Sequence, residues 1–301
     1  MIEDGLKHSN VTELKEYSAK IMSNNQPSLI FTDKDKKLLK NLKEIIDFGN
    51  SQITGSYNIN SFNNKQLTIF LAFGAINNYS GAIYKLCEDF RAIPAIVLLR
   101  SVFEAYINIF YITKTNSDKR IVLFWIEAWK DRITMLNELT SFRKKYPNHK
   151  NIKSFMDEST VAQIKLETEQ KIKNTRKNHK LTTKQKHPDL ITVTRKLDQA
   201  IPEKSRNGKF EYNYHILYRY FSPFAHLNAS GINNFLKQKP DGSHDFITNQ
   251  SNDLIGEVLA STFSFYLEFL SYLKKYKLLD KKISLTKFNK MFRNDISKKK
   301  N

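Results

Sequence analysis

The chain reads as an all-α protein, a multi-helix bundle interrupted by a charged helical insertion. Three observations predict that class. Only 9 Gly and 7 Pro punctuate 301 residues, which suits long helices better than many short strands and turns. Apolar residues recur three and four apart over several long stretches. No run reads convincingly as a strand, and no internal repeat is evident. A hydrophobic content of 40 % and an aromatic content of 12 % supply enough apolar surface for a folded core.

Residues 1–60 are expected to hold N-terminal helices. Residues 11–22 form a weak one. Thr32-Asp33 can cap a stronger one carrying Leu38, Leu39, Leu42, Ile45 and Ile46, with Gly49 just past its end. A Ser/Asn/Gly-rich connection, 51–64, follows. Residues 61–141 and 211–279 are assigned to the bundle core. In the first part, 65–90 reads as a long helix, whose Gly74 and Gly81 would admit a close neighbour. Its Cys87, the one cysteine of the chain, reads as a small buried apolar residue and excludes an internal disulfide. The most apolar stretch, 92–112, comes next, and Ser117-Asp118 caps a helix over 119–142 that carries Trp125 and Trp129.

Residues 142–210 are poor in apolar side chains and read as an excursion from the core, with helical pieces at 154–174 and, after His187-Pro188, at 190–200. Then come an aromatic segment, 212–236, and a turn at Lys239-Pro240-Asp241-Gly242. A long apolar helix over 254–279 and a short amphipathic piece at 285–292 lie before a basic end, 280–301 being read as a C-terminal tail.

The net charge of +19 is concentrated. Residues 142–210 carry +11 and residues 274–300 carry +9, while the remainder sums to −1. Clustered cations neutralise phosphates, so RNA is the partner these segments would take. A Lys-rich solvated face is the competing explanation, and few stacking aromatics are interleaved with the charge, so sequence-specific readout is not indicated. The N-terminus lacks the basic and apolar regions of a signal peptide. Arg100 and Glu104 split the best candidate for a membrane span. A cytoplasmic protein without a membrane partner is expected.

Two segments carry ionisable groups where apolar ones dominate. Arg100 and Glu104 interrupt 92–112 and share a helix face one turn apart. Buried ions cost several kcal/mol each unless paired and hydrogen-bonded, so the two are expected as a buried pair, either tying helices together or belonging to a site. In the second segment Tyr214, Tyr218, Ser222 and His226 recur every four residues. Pro223 either kinks that helix or opens a new one capped by Ser222. An inward-facing His226 is either a satisfied core residue or an acid–base group.

Arg100-Ser101-x-x-Glu104, followed much later by Tyr218-x-x-x-Ser222-x-x-x-His226, resembles a family of uncharacterised bacterial all-helical proteins over about residues 65–278. More loosely, Arg219 and His226, six residues between them, resemble the Arg/His signature of the HEPN superfamily of helical ribonucleases and nucleotide-binding proteins found in toxin–antitoxin and antiphage systems. Tyr220 stands where a polar residue usually follows the Arg, and Pro223 lies inside the motif. This resemblance implies a metal-independent endoribonuclease working as a homodimer, with an antitoxin or defence protein as partner. His226 would exchange the 2′-hydroxyl proton, Arg219 or Arg100 would bind phosphate, Glu104 would orient His226 or an Arg, and Ser222 and Tyr218 would hydrogen-bond substrate.

The alternative is a non-catalytic helical binding module in which Arg, Glu and His form a buried polar network and which contacts nucleic acid or a protein partner. No P-loop, GxGxxG, GxSxG or HExxH is present, so no cofactor is indicated. His179 and His187 flank a Lys-rich loop without ligand-spaced Cys or carboxylates, which argues against a metal.

Overall fold

A computed structural model describes residues 30–54, 59–114, 116–146, 157–203, 208–220, 236–239, 241–246, 252–279 and 284–296. The helix expected at 11–22 and the chain end at 297–300 lie outside them.

Helix α1 (Asp33–Ile53) starts at Thr32, whose hydroxyl accepts from the Asp35 amide at 3.1 Å while the Asp35 carboxylate accepts from the Thr32 amide at 3.2 Å. Two of the orphan donors at the helix start are thereby satisfied. Helix α2 (Asn64–Glu88) begins in the same way, with Asn63 and Gln66 reciprocally bonded. After a three-residue connection, Asp89–Arg91, the chain reverses into α3 (Ala92–Thr113), which is buried along most of its length. Helix α4 (Ser117–Lys145) enters from Asn116 in a left-handed conformation, with no side-chain cap; Ser117 is the first helical residue rather than the cap.

Four helices make the core: α1, α2, α3 and α8 (Asn252–Lys275) pack against one another. Their largest fully buried side chains are Tyr106, Tyr266, Phe73, Phe103, Phe263 and Phe269, each contributing roughly 1.5–3 kcal/mol by leaving water. The spans 92–113 and 254–275 are long and apolar enough to cross a membrane, yet 56 % of each apolar window is buried inside the bundle. They are the two central core helices. Helix α4 lies on α2 and α3, and its Trp125 indole donates to the Thr68 hydroxyl at 3.0 Å. Helix α9 (Thr286–Ile296) closes on α1 and α8 through Leu285 and Phe288, with Lys287 paired to Glu44.

Several expectations need correction. Gly49 is not past a helix end; α1 runs on to Ile53 and Gly49 is buried within it, because a side chain there would collide with Tyr266. Gly74 and Gly81, expected to admit a close neighbour, have open space where a Cβ would stand. The charged excursion is only partly one. Helix α5 (Glu158–Asn178) packs on α4 around a small separate cluster, Val122, Leu123, Ile126 and Leu181. Helix α6 (Leu190–Gln199), however, lies on α3 and sends Val193 and Leu197 into the main core, as does Phe210. The Lys239–Gly242 turn closes a short antiparallel hairpin, β1 (Leu236–Gln238) and β2 (His244–Phe246), with Leu236 opposite Phe246. Strand pairing over three residues leaves too short a pattern for alternation to register.

Cys87 is fully buried, and burial pushes its thiol up to about 12, so it packs as an apolar group.

Candidate functional site

Arg100 follows Leu99, which is buried in the core, and therefore lies at the edge of the buried α3 face, half-buried. Its guanidinium carbon is 3.9 Å from the centre of the Tyr218 ring, and the Tyr218 ring stacks on Tyr214 at 5.2 Å and 18°. A flat cation over an aromatic face is worth roughly 0.5–2 kcal/mol, depending on desolvation.

Local structure explains how Tyr218 arrives there. Helix α7 (Lys209–Asn213) starts from Gly208 at φ 64°, with no side-chain cap of its own. The buried Asp198 carboxylate of α6 caps it instead, accepting from the Phe210 amide at 3.2 Å and the Glu211 amide at 2.8 Å. Arg195 of α6 adds an ion pair to Glu211 at 2.9 Å. The end of the charged segment thus positions the aromatic one. From Tyr214 to Tyr220 the helix widens into a π-helical stretch. Leu217 faces the core, while Tyr214 and Tyr218 remain on one side. Short π-helical insertions recur at functional sites.

Chain neighbours of these residues, and not Arg100, Tyr214 or Tyr218 themselves, help line a cleft of about 430 Å³ between α3, α7 and α8, whose walls include Leu99, Lys209, Tyr212, Asn213, Ser261 and Phe265. Lys209 is tied to Glu268 of α8 at 2.6 Å, and the other Glu268 oxygen accepts from the buried Tyr106 hydroxyl. Burial first, and then the Glu268 charge, hold that hydroxyl well above the usual tyrosine range. Glu268, Lys209 and Tyr106 were not singled out in sequence. A carboxylate deep in the apolar 254–279 run, one of two there with Glu257, was the available signal, but its partners lie 59 and 162 residues away.

Of the sequence-derived candidates, Arg100 and Tyr218 come together. Glu104 does not join them as a buried pair. It is exposed, and a solvated carboxylate avoids the desolvation that made pairing necessary. Arg219 contributes its backbone to the π-helical stretch, but its side chain, like Ser222 and His226, lies outside the described residues.

His187 is half-buried. It sits between Tyr111 and Phe124, ring centres 5.7 and 5.4 Å away, with Nε2 3.1 Å from Asn108 Oδ1. Burial holds its pKa down at about 4. Among the described residues, no three His, Cys, Asp or Glu side chains gather as a metal site would require.

Residues 66–244, more than half of the chain, match a family of unknown function, DUF5677; that span takes in both Arg100 and His226. No curated protein matches the chain, and no solved structure does.

Proposed function

We propose that this chain, which belongs to the DUF5677 family, is a HEPN-like helical effector that cleaves RNA without a metal, in phage defence or toxin–antitoxin growth control. One observation carries the reading. Arg100 of the first motif stacks on Tyr218, the opening residue of the second, although 117 residues separate them in the chain. Two segments singled out for their polar groups thus meet in space, and the cation that results is half-buried, next in the chain to Leu99 of the cleft lining. A planar guanidinium carries forked N–H donors whose geometry matches phosphate oxygens.

In this reading Arg100 binds the scissile phosphate and offsets charge on the phosphorane. His226 takes the 2′-hydroxyl proton as the 2′-oxygen attacks phosphorus. The phosphorus–5′-oxygen bond breaks, the 5′-oxygen takes a proton from water, and His226 returns its proton to solvent, giving a 2′,3′-cyclic phosphate and a 5′-hydroxyl. Ser222 and Tyr218 hydrogen-bond the substrate. Arg219 supplies a second phosphate contact, the basic 142–210 and 274–300 segments supply affinity for RNA, and two copies of the chain complete the assembly. The rival reading, a binding module built on a buried Arg/Glu/His network, loses one of its three members, because Glu104 is exposed.

Expression of wild type, His226→Ala and Arg100→Lys in a bacterial host tests this. Fragmented total RNA and arrested growth are expected with wild type. Both effects should be lost in His226→Ala at an unchanged melting temperature and weakened in Arg100→Lys, which keeps charge but not the bidentate fork. Intact RNA in all three, with a lowered melting temperature for His226→Ala, would make the histidine structural and sink the nuclease.

A further inference from the structure

At the end of the bundle where α3 finishes, cations and tyrosines from five elements interlock. The Tyr276 ring lies beneath Lys65 at 4.6 Å and beside Lys275 at 5.9 Å, and its hydroxyl donates to the Thr113 carbonyl at 2.9 Å. Two residues back along α3, the Tyr111 ring lies under Arg120 at 4.0 Å and within 6.0 Å of Lys196. The Tyr276–Thr113 bond joins the two halves, and Lys114 follows Thr113 directly. Burial, and then Arg120 and Lys275, push Lys114 below the usual lysine range. The result is a belt, Lys196–Arg120–Lys114–Lys275–Lys65, rather than a point cluster.

The helix end accounts for only part of this charge. Arg120 donates to the Tyr111 carbonyl at 2.8 Å, and the negative end of a helix amounts to about half an elementary charge. Four lysines remain. Among the described residues no carboxylate lies within ion-pair distance of Lys65, Lys114, Lys196 or Lys275. Lys65 and Arg120 also stand in or just past the first turns of α2 and α4, where cations are unfavourable for the helix. Like charges packed together against helix preference serve a ligand better than they serve the fold.

We infer that this belt is a binding surface for the phosphodiester backbone of an RNA strand, separate from the Arg100 site and about 20 Å from it along α3 at 1.5 Å per residue. The inference rests on the RNA-directed reading above for its substrate class. A linear polyanion suits an elongated row of cations. A protein or membrane partner would need apolar anchors, and none of the large exposed hydrophobic side chains, which include Leu71, Met135, Leu166 and Ile216, belongs to the belt. Its tyrosines are buried or half-buried and hold the cations, so contact is with phosphates rather than with bases.

The test is fluorescence anisotropy of the full chain with a labelled 2′-O-methyl oligouridine, which binds but lacks the hydroxyl needed for cleavage. Binding is thereby read apart from catalysis, and a failed nuclease assay leaves this measurement intact. The triple variant Lys65→Gln/Lys114→Gln/Lys275→Gln is compared with an equal charge change on α1, Lys34→Gln/Lys36→Gln/Lys40→Gln, both checked by melting temperature. The belt variant should bind on the order of tenfold more weakly, with the salt slope reduced by about 2, near 0.7 per lost contact. Arginines at the same three positions should restore both. Equal losses in the two triples would reduce the effect to net charge and overturn the inference. Unchanged RNA binding would also overturn it, and with lost binding to polyglutamate it would assign the belt to an acidic protein.

Discussion

Gly49 lies against the Tyr266 hydroxyl, which donates to Asn77 Oδ1 at 2.5 Å, while Asn77 Nδ2 donates to Asn50 at 2.7 Å. The contact ties α1, α2 and α8 through the buried Asn77 and Tyr266 and the exposed Asn50, and a methyl group at Gly49 has nowhere to go. Gly49→Ala should lower stability by about 1–3 kcal/mol and lose much of that penalty in a Tyr266→Phe background. Gly74→Ala meets nothing and should raise stability by about 0.5–1 kcal/mol. Urea denaturation separates the two, and equal effects would refute the packing account. His187 offers a pH test. Its folded-state pKa is about 4 against an ordinary 6.5, so between those values the unfolded chain takes up a proton that the folded chain refuses. Stability should therefore fall as pH drops from about 6.5 to 4, by up to about 3 kcal/mol. His187→Phe, which keeps the aromatic slot filled, should flatten that dependence. An unchanged dependence in the variant would place the titration elsewhere.

At the scale of elements, helix starts were legible and helix partners were not. Thr32 reads as a cap because its oxygen and the Asp35 carboxylate stand three residues apart, a purely local relation. The start of α7 was illegible because its cap comes from Asp198 on another helix. Asp198→Ala leaves two amides unsatisfied, one of them buried, and should cost about 1–3 kcal/mol. Amide exchange should quicken over 209–220 before it does in α3. Protection unchanged in that segment would show that the Arg100–Tyr218 stack alone holds it. The π-helical widening at Tyr214–Tyr220 was likewise hidden, since a four-residue spacing of Tyr214 and Tyr218 fits either helix type.

For the whole molecule, the core divides unequally. Helix α5 rests on a cluster of four buried residues, whereas α1, α2, α3 and α8 share the main core. Helix α5 should open at a lower free energy than α3; hydrogen exchange measured helix by helix would reveal it, and equal protection would argue for one cooperative unit. The sequence by itself determined the all-α class, most helix starts, the concentration of positive charge and the singular character of Arg100, because periodicity, caps and composition act over a few residues. Only the tertiary structure decided that Glu104 faces water while Arg100 meets Tyr218, that α6 belongs to the core, and that four lysines and Arg120, far apart in the chain, come together in one belt. Those outcomes depend on which helix faces pack together, and burial energy is shared among contacts far apart in the chain, so no local pattern records them.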